Sequence, residues 1–130
     1  MYKFIDFFSR FALFVIYAYF GALKLFGASP ANPLVDALLQ KTIPGLSFST
    51  FIIILGIFEI VIGLLFLFPR ARWFAFGLFV MHIVITTLPL ILLPTIAWQA
   101  PYIPTLEGQY IIKNLALIAV ALQVTFHRQY

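Results

Sequence analysis

The chain has 130 residues, 64% of them hydrophobic and 9% charged, with a mean hydropathy of +1.09. That leaves too little polar surface to coat a soluble globule of this length, so the composition specifies an integral membrane protein. The net charge of +4 is spread along the chain, which argues against a nucleic-acid surface, and the absence of cysteine excludes disulfides, thiolate nucleophiles and thiol metal ligands.

Four segments are long enough to cross a hydrocarbon core of about 30 Å, at residues 7–26, 48–68, 73–93 and 110–126. They predict an all-α, four-helix bundle in a single transmembrane domain covering residues 1–130. The first span is expected to be retained rather than cleaved, because Lys24 interrupts its apolar run and Pro30 follows the small residues. Residues 28–47 hold Pro30, Pro33, Pro44 and Gly45 around Leu34, Val35, Leu38 and Leu39. This pattern predicts a short interfacial helix, capped by Asn32 with Pro33 in its first turn, that could act as a lid.

A tight connection at Pro69, Arg70, Ala71 and Arg72 makes spans two and three antiparallel neighbours. In span three, Pro89 and Pro94 deprive the carbonyls of Ile85 and Leu90 of their helical partners, which predicts a kink. The following loop, with Trp98, Pro101, Tyr102 and Pro104, has the composition of an aromatic interfacial belt. Lys3 and Arg10 lie at the start of span one, Arg70 and Arg72 between spans two and three, and Arg128 after span four. The other face offers chiefly Lys41, so the positive-inside rule places both termini in the cytoplasm; the inner (plasma) membrane is the expected location.

The polar residues cluster in depth. At about 1.5 Å per residue, Lys24 and Lys113 fall about 5–8 Å below the outer boundary, Thr86 and Thr87 about 10–12 Å, and Tyr17, Glu59 and His82 about 14–18 Å. Helical spacing puts Tyr17, Gly21 and Lys24 on one face, Gly56, Glu59 and Gly63 on another, and His82, Thr86 and Pro89 on a third. On span four, Gln109 and Lys113 align, with Asn114 adjacent. Glycines flanking a carboxylate allow a neighbouring backbone to approach and hold it away from lipid. Together these residues predict a polar pocket opening outward.

Each residue also has a plainer reading. Lys24 and Lys113 are shallow enough to snorkel to the headgroups. Glu59 is too deep for that, and its structural alternatives are an ion pair with Lys24 or Lys113, or a protonated acid bonded to a tyrosine. His82 alone is more often satisfied by a backbone carbonyl, and with no ligand cluster around it a metal or haem site is not expected. Thr86 and Thr87 could merely repair the backbone near Pro89.

Three stretches carry a family resemblance: Gly21-Ala22-Leu23-Lys24, Gly56-Ile57-Phe58-Glu59 with Gly63, and the run from Gly108 to Leu115 that opens span four. In this order they resemble the DoxX-like family of small four-helix membrane proteins. Members of that family resemble a membrane subunit of a thiosulfate:quinone oxidoreductase or partners in redox-stress resistance, amine-dehydrogenase maturation or receptor assembly, so the resemblance implies no single reaction. Together with an outward pocket whose Tyr17, His82, Lys24, Lys113 and Glu59 suit a quinone's carbonyls and protons, it predicts a subunit or accessory protein of a quinone-linked redox system, with a bound quinone or lipid and no covalent cofactor. It also implies that Lys24 and Glu59 are shared core positions of the fold. A non-catalytic scaffold or assembly factor for a partner membrane protein is the alternative, and a small proton or solute transporter the second. Membrane lipids and a protein partner or second copy are the expected contacts. No catalytic residue is assigned: Ser9, Ser29, Ser47 and Ser49 lie at span ends away from His82, so an enzyme acting alone is not expected.

Overall fold

The computed structural model describes residues 1–126, and it is helical almost throughout. Helix α1 (Tyr2–Leu25) stops where Gly27 takes a φ of 71°, a conformation that costs glycine little and lets the Ala28 N–H bond the Leu23 carbonyl. Helix α2 (Asn32–Thr42) follows, with Leu38 and Leu39 buried against α3 and the Pro89 region. Its cap differs from the sequence reading: Asn32 is already helical, and its Oδ1 is buried without a hydrogen bond. Ser29 takes part of that role by accepting the Ala31 N–H at 3.2 Å.

Helix α3 (Phe48–Phe66) begins at Ser47, whose hydroxyl accepts the Thr50 N–H as an N-cap should. A single 3-10 turn (Pro69–Ala71) leads into α4 (Arg72–Thr87), which continues past Leu88 as the short α5 (Pro89–Leu92) and then α6 (Pro94–Ala97). The span runs on from 69 to 92, but it breaks at Leu88, where the sequence placed a kink. Both carbonyls orphaned by proline have found donors. Ile85 accepts from the Leu88 N–H at 3.3 Å, and Leu90 accepts from the Trp98 indole N–H at 2.9 Å. Inside a membrane an unpaired carbonyl is costly, so Trp98 is held by the break and is not simply part of an aromatic belt.

The loop after α6 folds into an antiparallel hairpin, β1 (Trp98–Ala100) with β2 (Ile103–Pro104), turning through Tyr102 at a φ of 65°. The sequence reading had no strand there. Thr105 then caps α7 (Leu106–Ile112), which begins four residues before the expected start of span four. The span pauses at Lys113 and resumes as α8 (Asn114–Phe126).

Four spans, 2–25, 48–66, 69–92 and 106–126, are long and apolar enough to cross a membrane, so the chain is a multi-pass membrane protein. Large apolar side chains such as Phe7, Phe11, Ile57, Phe74, Met81 and Leu115 point outward, as a lipid-facing surface requires. The 69–72 turn lies at the same end of the bundle as Met1 and Phe126, here termed the terminal end; α2 and the hairpin lie at the loop end.

The tightest seam joins α1 to α3. A Cβ on Gly21 would lie 2.5 Å from the Gly56 carbonyl oxygen, and one on Gly56 would lie 2.8 Å from that of Gly21. With lipid as apolar as leucine, close backbone approach of this kind is a main source of helix association. Beyond the seam, Leu13, Tyr17, Ile62, Phe66, Ala75, Phe79, Ala121 and Val124 form the core of the terminal half.

Candidate functional site

Lys24 closes the seam face of α1 and Glu59 sits one helical turn from Gly56, so the close approach that the glycines permit brings amine and acid together. The Lys24 Nζ lies 3.0 Å from Glu59 Oε1 and 2.9 Å from Oε2, straddling the carboxylate, and only the Oε1 contact has hydrogen-bond geometry. Lys24 is 8% exposed and Glu59 4%. This decides between the sequence alternatives: the partner of Glu59 is Lys24, and Lys24 does not snorkel.

From α4, His82 approaches the same carboxylate, with Nε2 3.5 Å from Glu59 Oε1. That is within reach of an ion pair but long for a hydrogen bond. Its Nδ1 lies 3.1 Å from the Tyr17 hydroxyl, and the two rings meet edge-on. A neutral His82 carrying its proton on Nε2 satisfies both neighbours, because Tyr17 O–H then donates to Nδ1 while Nε2–H faces the acid. His82 is therefore bonded to a side chain and not to the backbone carbonyl of the plainer reading. Tyr17 in turn stacks edge-on against Phe79, at the top of the apolar core.

Lys24, Glu59, His82 and Tyr17 thus form one buried network from three helices, stepping from the loop end toward the middle of the bundle. Threonine and asparagine extend it outward. Thr86 lies one turn above His82, and its Oγ1 accepts a 3.4 Å bond from Asn114 Nδ2, while donating, as Thr87 does, to the Ile83 carbonyl. Neither threonine reaches the Ile85 carbonyl that Pro89 leaves open, which takes the Leu88 N–H instead, so the expected repair is not theirs, and Thr86 bridges to the last span. The bridge joins two irregular points, the approach to the Leu88 break and the pause at Lys113.

Two expected members are elsewhere. Lys113 is exposed, its ammonium 5.1 Å from the centroid of the Tyr110 ring, and Gln109 is exposed one turn before it. Gly108 and Ile111 are buried at three-residue spacing before half-buried Asn114, and Gln109 and Lys113, four apart, lie on the opposite, exposed face. A surface cavity of about 580 Å³ lies at the loop end, lined by Pro94, Trp98, Pro101 and Tyr102 among others, and none of the network residues borders it. No cluster of three or more histidine or acidic side chains suited to a metal occurs among the described residues.

The sequence reading took Arg10 as a marker of topology, whereas it is a buried structural centre, 6% exposed. Its guanidinium donates to Asp6 at 2.9 Å, to the Phe66 carbonyl at 3.1 Å and to the Val124 carbonyl at 2.8 Å. Phe66 closes α3, whose last carbonyls have no intrahelical donors and carry the negative end of the helix dipole, so the guanidinium caps α3 and ties it to the Val124 carbonyl of α8. The available signal was Asp6 four residues before Arg10 in an otherwise apolar helix.

No family model matches the chain, and no curated protein or solved structure does.

Proposed function

We propose that this chain is a multi-pass subunit or accessory protein of a quinone-linked redox system in the inner membrane, with both termini in the cytoplasm. In this reading the Lys24–Glu59–His82–Tyr17 network handles protons or holds a lipophilic head group for a partner protein. The observation that carries it is the network itself: an amine, an acid, an imidazole and a phenol in successive contact within an apolar bundle. Ionisable groups at such depth are expensive and usually mark a functional path. Quinone reduction takes up protons with electrons, and an acid paired with an imidazole is suited to deliver them. The redox link rests on the resemblance to DoxX-like proteins, and the bound quinone or lipid on polar groups set in an apolar bundle. The basic residues Lys3, Arg70 and Arg72 at the terminal end support the orientation.

A second reading is favoured by the fit of the Gly21–Gly56 seam and the placement of the cavity away from the network. There the buried charges fix the register of α1 against α3, and the protein is a scaffold for a partner or a second copy. Purification in native lipid, with mass spectrometry of the proteins and small molecules retained, separates the two. Bound quinone whose affinity falls in Glu59→Gln and Lys24→Met supports the redox reading. Unchanged quinone affinity in both folded variants rejects it, and a stoichiometric protein partner without a small molecule supports the scaffold.

A further inference from the structure

The two ends of the bundle are built differently. At the terminal end, Arg10 binds the last carbonyl of α3 and the Val124 carbonyl of α8 while held by Asp6 on its own helix. Directly above it, Leu13, Ile62, Phe66, Phe79, Ala121 and Val124 are at most 3% exposed, and Phe79 packs edge-on against both Phe66 and Tyr17. Of the network only Tyr17 reaches this layer, with its ring against Phe79 and its hydroxyl turned to His82.

The loop half has the opposite character. The third span breaks at Leu88 and the fourth pauses at Lys113, and the side-chain bond that joins them there is the Asn114–Thr86 contact at 3.4 Å. Thr86 and Asn114 are both half-buried, so they stand between the surface and the buried His82. The side-chain closure there is one long neutral hydrogen bond between two interrupted helices, whereas the opposite face is closed by a guanidinium and six packed side chains.

We propose that the network exchanges with the loop side alone, through a seam between α4 and α7–α8 latched by Thr86 and Asn114, and that it is a closed-ended site and not a conduit across the membrane. Opening requires the Thr86–Asn114 bond to part and the α7 segment to pivot at Lys113, with no change at the Arg10 cap. Protons and small polar solutes then reach His82 first and Glu59 next, and Tyr17 is the floor. This deepens the proton-handling reading of the same network, but its test needs no quinone and can succeed or fail independently of that reading.

The natural chain has no cysteine, so single thiols can be placed without background. Thr86→Cys, His82→Cys and Ala121→Cys are made in the full chain, reconstituted in liposomes and treated from either side with a charged, membrane-impermeant thiol reagent. Lys3→Cys and Tyr102→Cys, both at exposed positions, calibrate the terminal and loop faces. The expected result is labelling of Thr86→Cys and His82→Cys from the loop face only, no labelling of Ala121→Cys from either face, and a rate at Thr86→Cys about threefold higher when Asn114→Ala is added. Should His82→Cys fail to fold, Thr86→Cys with and without Asn114→Ala carries the test. Labelling of Thr86→Cys or His82→Cys from the terminal face overturns the proposal. So does a folded protein in which neither thiol reacts from either side.

Discussion

Replacing Gly21 by alanine tests the α1–α3 seam with the smallest possible perturbation. In an ordinary helix this change is favourable by about 0.8–1 kcal/mol, since alanine is the better helix former. Here the added Cβ would stand 2.5 Å from the Gly56 carbonyl oxygen and 2.9 Å from the Ile60 side chain, where ordinary contact begins at 3.4 Å. The first neighbour is backbone, so the helices must part by most of an ångström. A gap of about 0.5–1 Å forfeits a quarter to a half of each dispersion contact along the seam, and overpacking of this type costs about 1–3 kcal/mol. The same movement stretches the Lys24–Glu59 pair, which lies one turn away. The net expectation for Gly21→Ala is a destabilisation of about 0–2 kcal/mol after the propensity gain, about 1–3 kcal/mol worse than an unhindered Gly→Ala change, read from reversible unfolding in mixed detergent micelles. Gly77→Ala supplies the control: nothing lies within 4 Å of a Cβ there, so the variant should be as stable as the parent or slightly more so. If Gly21→Ala were as harmless as Gly77→Ala, the seam would not be the close contact on which the placement of Glu59 depends.

Lys24→Met leaves a buried carboxylate without its amine and should cost about 3–5 kcal/mol, while Lys24→Met with Glu59→Leu should recover most of that; additive losses in this double-mutant cycle would show that the two side chains do not interact. Arg10→Met should destabilise by about 3 kcal/mol, since bonds to a charged group contribute about 1.5–3 kcal/mol each, and Arg10→Lys should restore only part because a point charge lacks the fork that spans two carbonyls. Equal stability of Arg10→Lys and the parent would refute the two-carbonyl tie. Trp98→Phe removes the donor to the Leu90 carbonyl and should cost about 1–3 kcal/mol, with faster amide exchange through residues 89–97; an unaltered exchange pattern would mean the indole does not hold the break.

Much of this arrangement is legible in the residues. Chain hydropathy is enough to locate four spans, because a membrane helix must be apolar over its whole length and little else is. The 3.6-residue period is enough to put Glu59 between two glycines and to place Lys24 and Tyr17 on one face, so the core of the network follows from spacing alone. What spacing cannot supply is the rotation of one helix against another. That rotation selects Lys24 over Lys113 as the partner of Glu59, since span four turns Gly108 and Ile111 inward and leaves Lys113 exposed. Arg10 is illegible for a related reason: a charge near a span end usually faces water, and its burial depends on where the Phe66 and Val124 carbonyls arrive. The hairpin at Trp98–Pro104 arises from a demand elsewhere in the chain, the carbonyl that Pro94 leaves open on Leu90.

The account stands on the Lys24–Glu59 pair being formed in the membrane, and solid-state NMR of the protein in lipid bilayers measures it directly. With isotope labels at the Lys24 side-chain nitrogen and the Glu59 carboxyl carbon, the N–O distances of 2.9 and 3.0 Å require a strong dipolar coupling between the two. That coupling should disappear in Glu59→Gln only if the amine leaves, and should persist unchanged when Lys113 is replaced by methionine. Absence of the coupling in the unmodified protein, or a coupling from Glu59 to Lys113 in its place, would contradict the network and the function built on it.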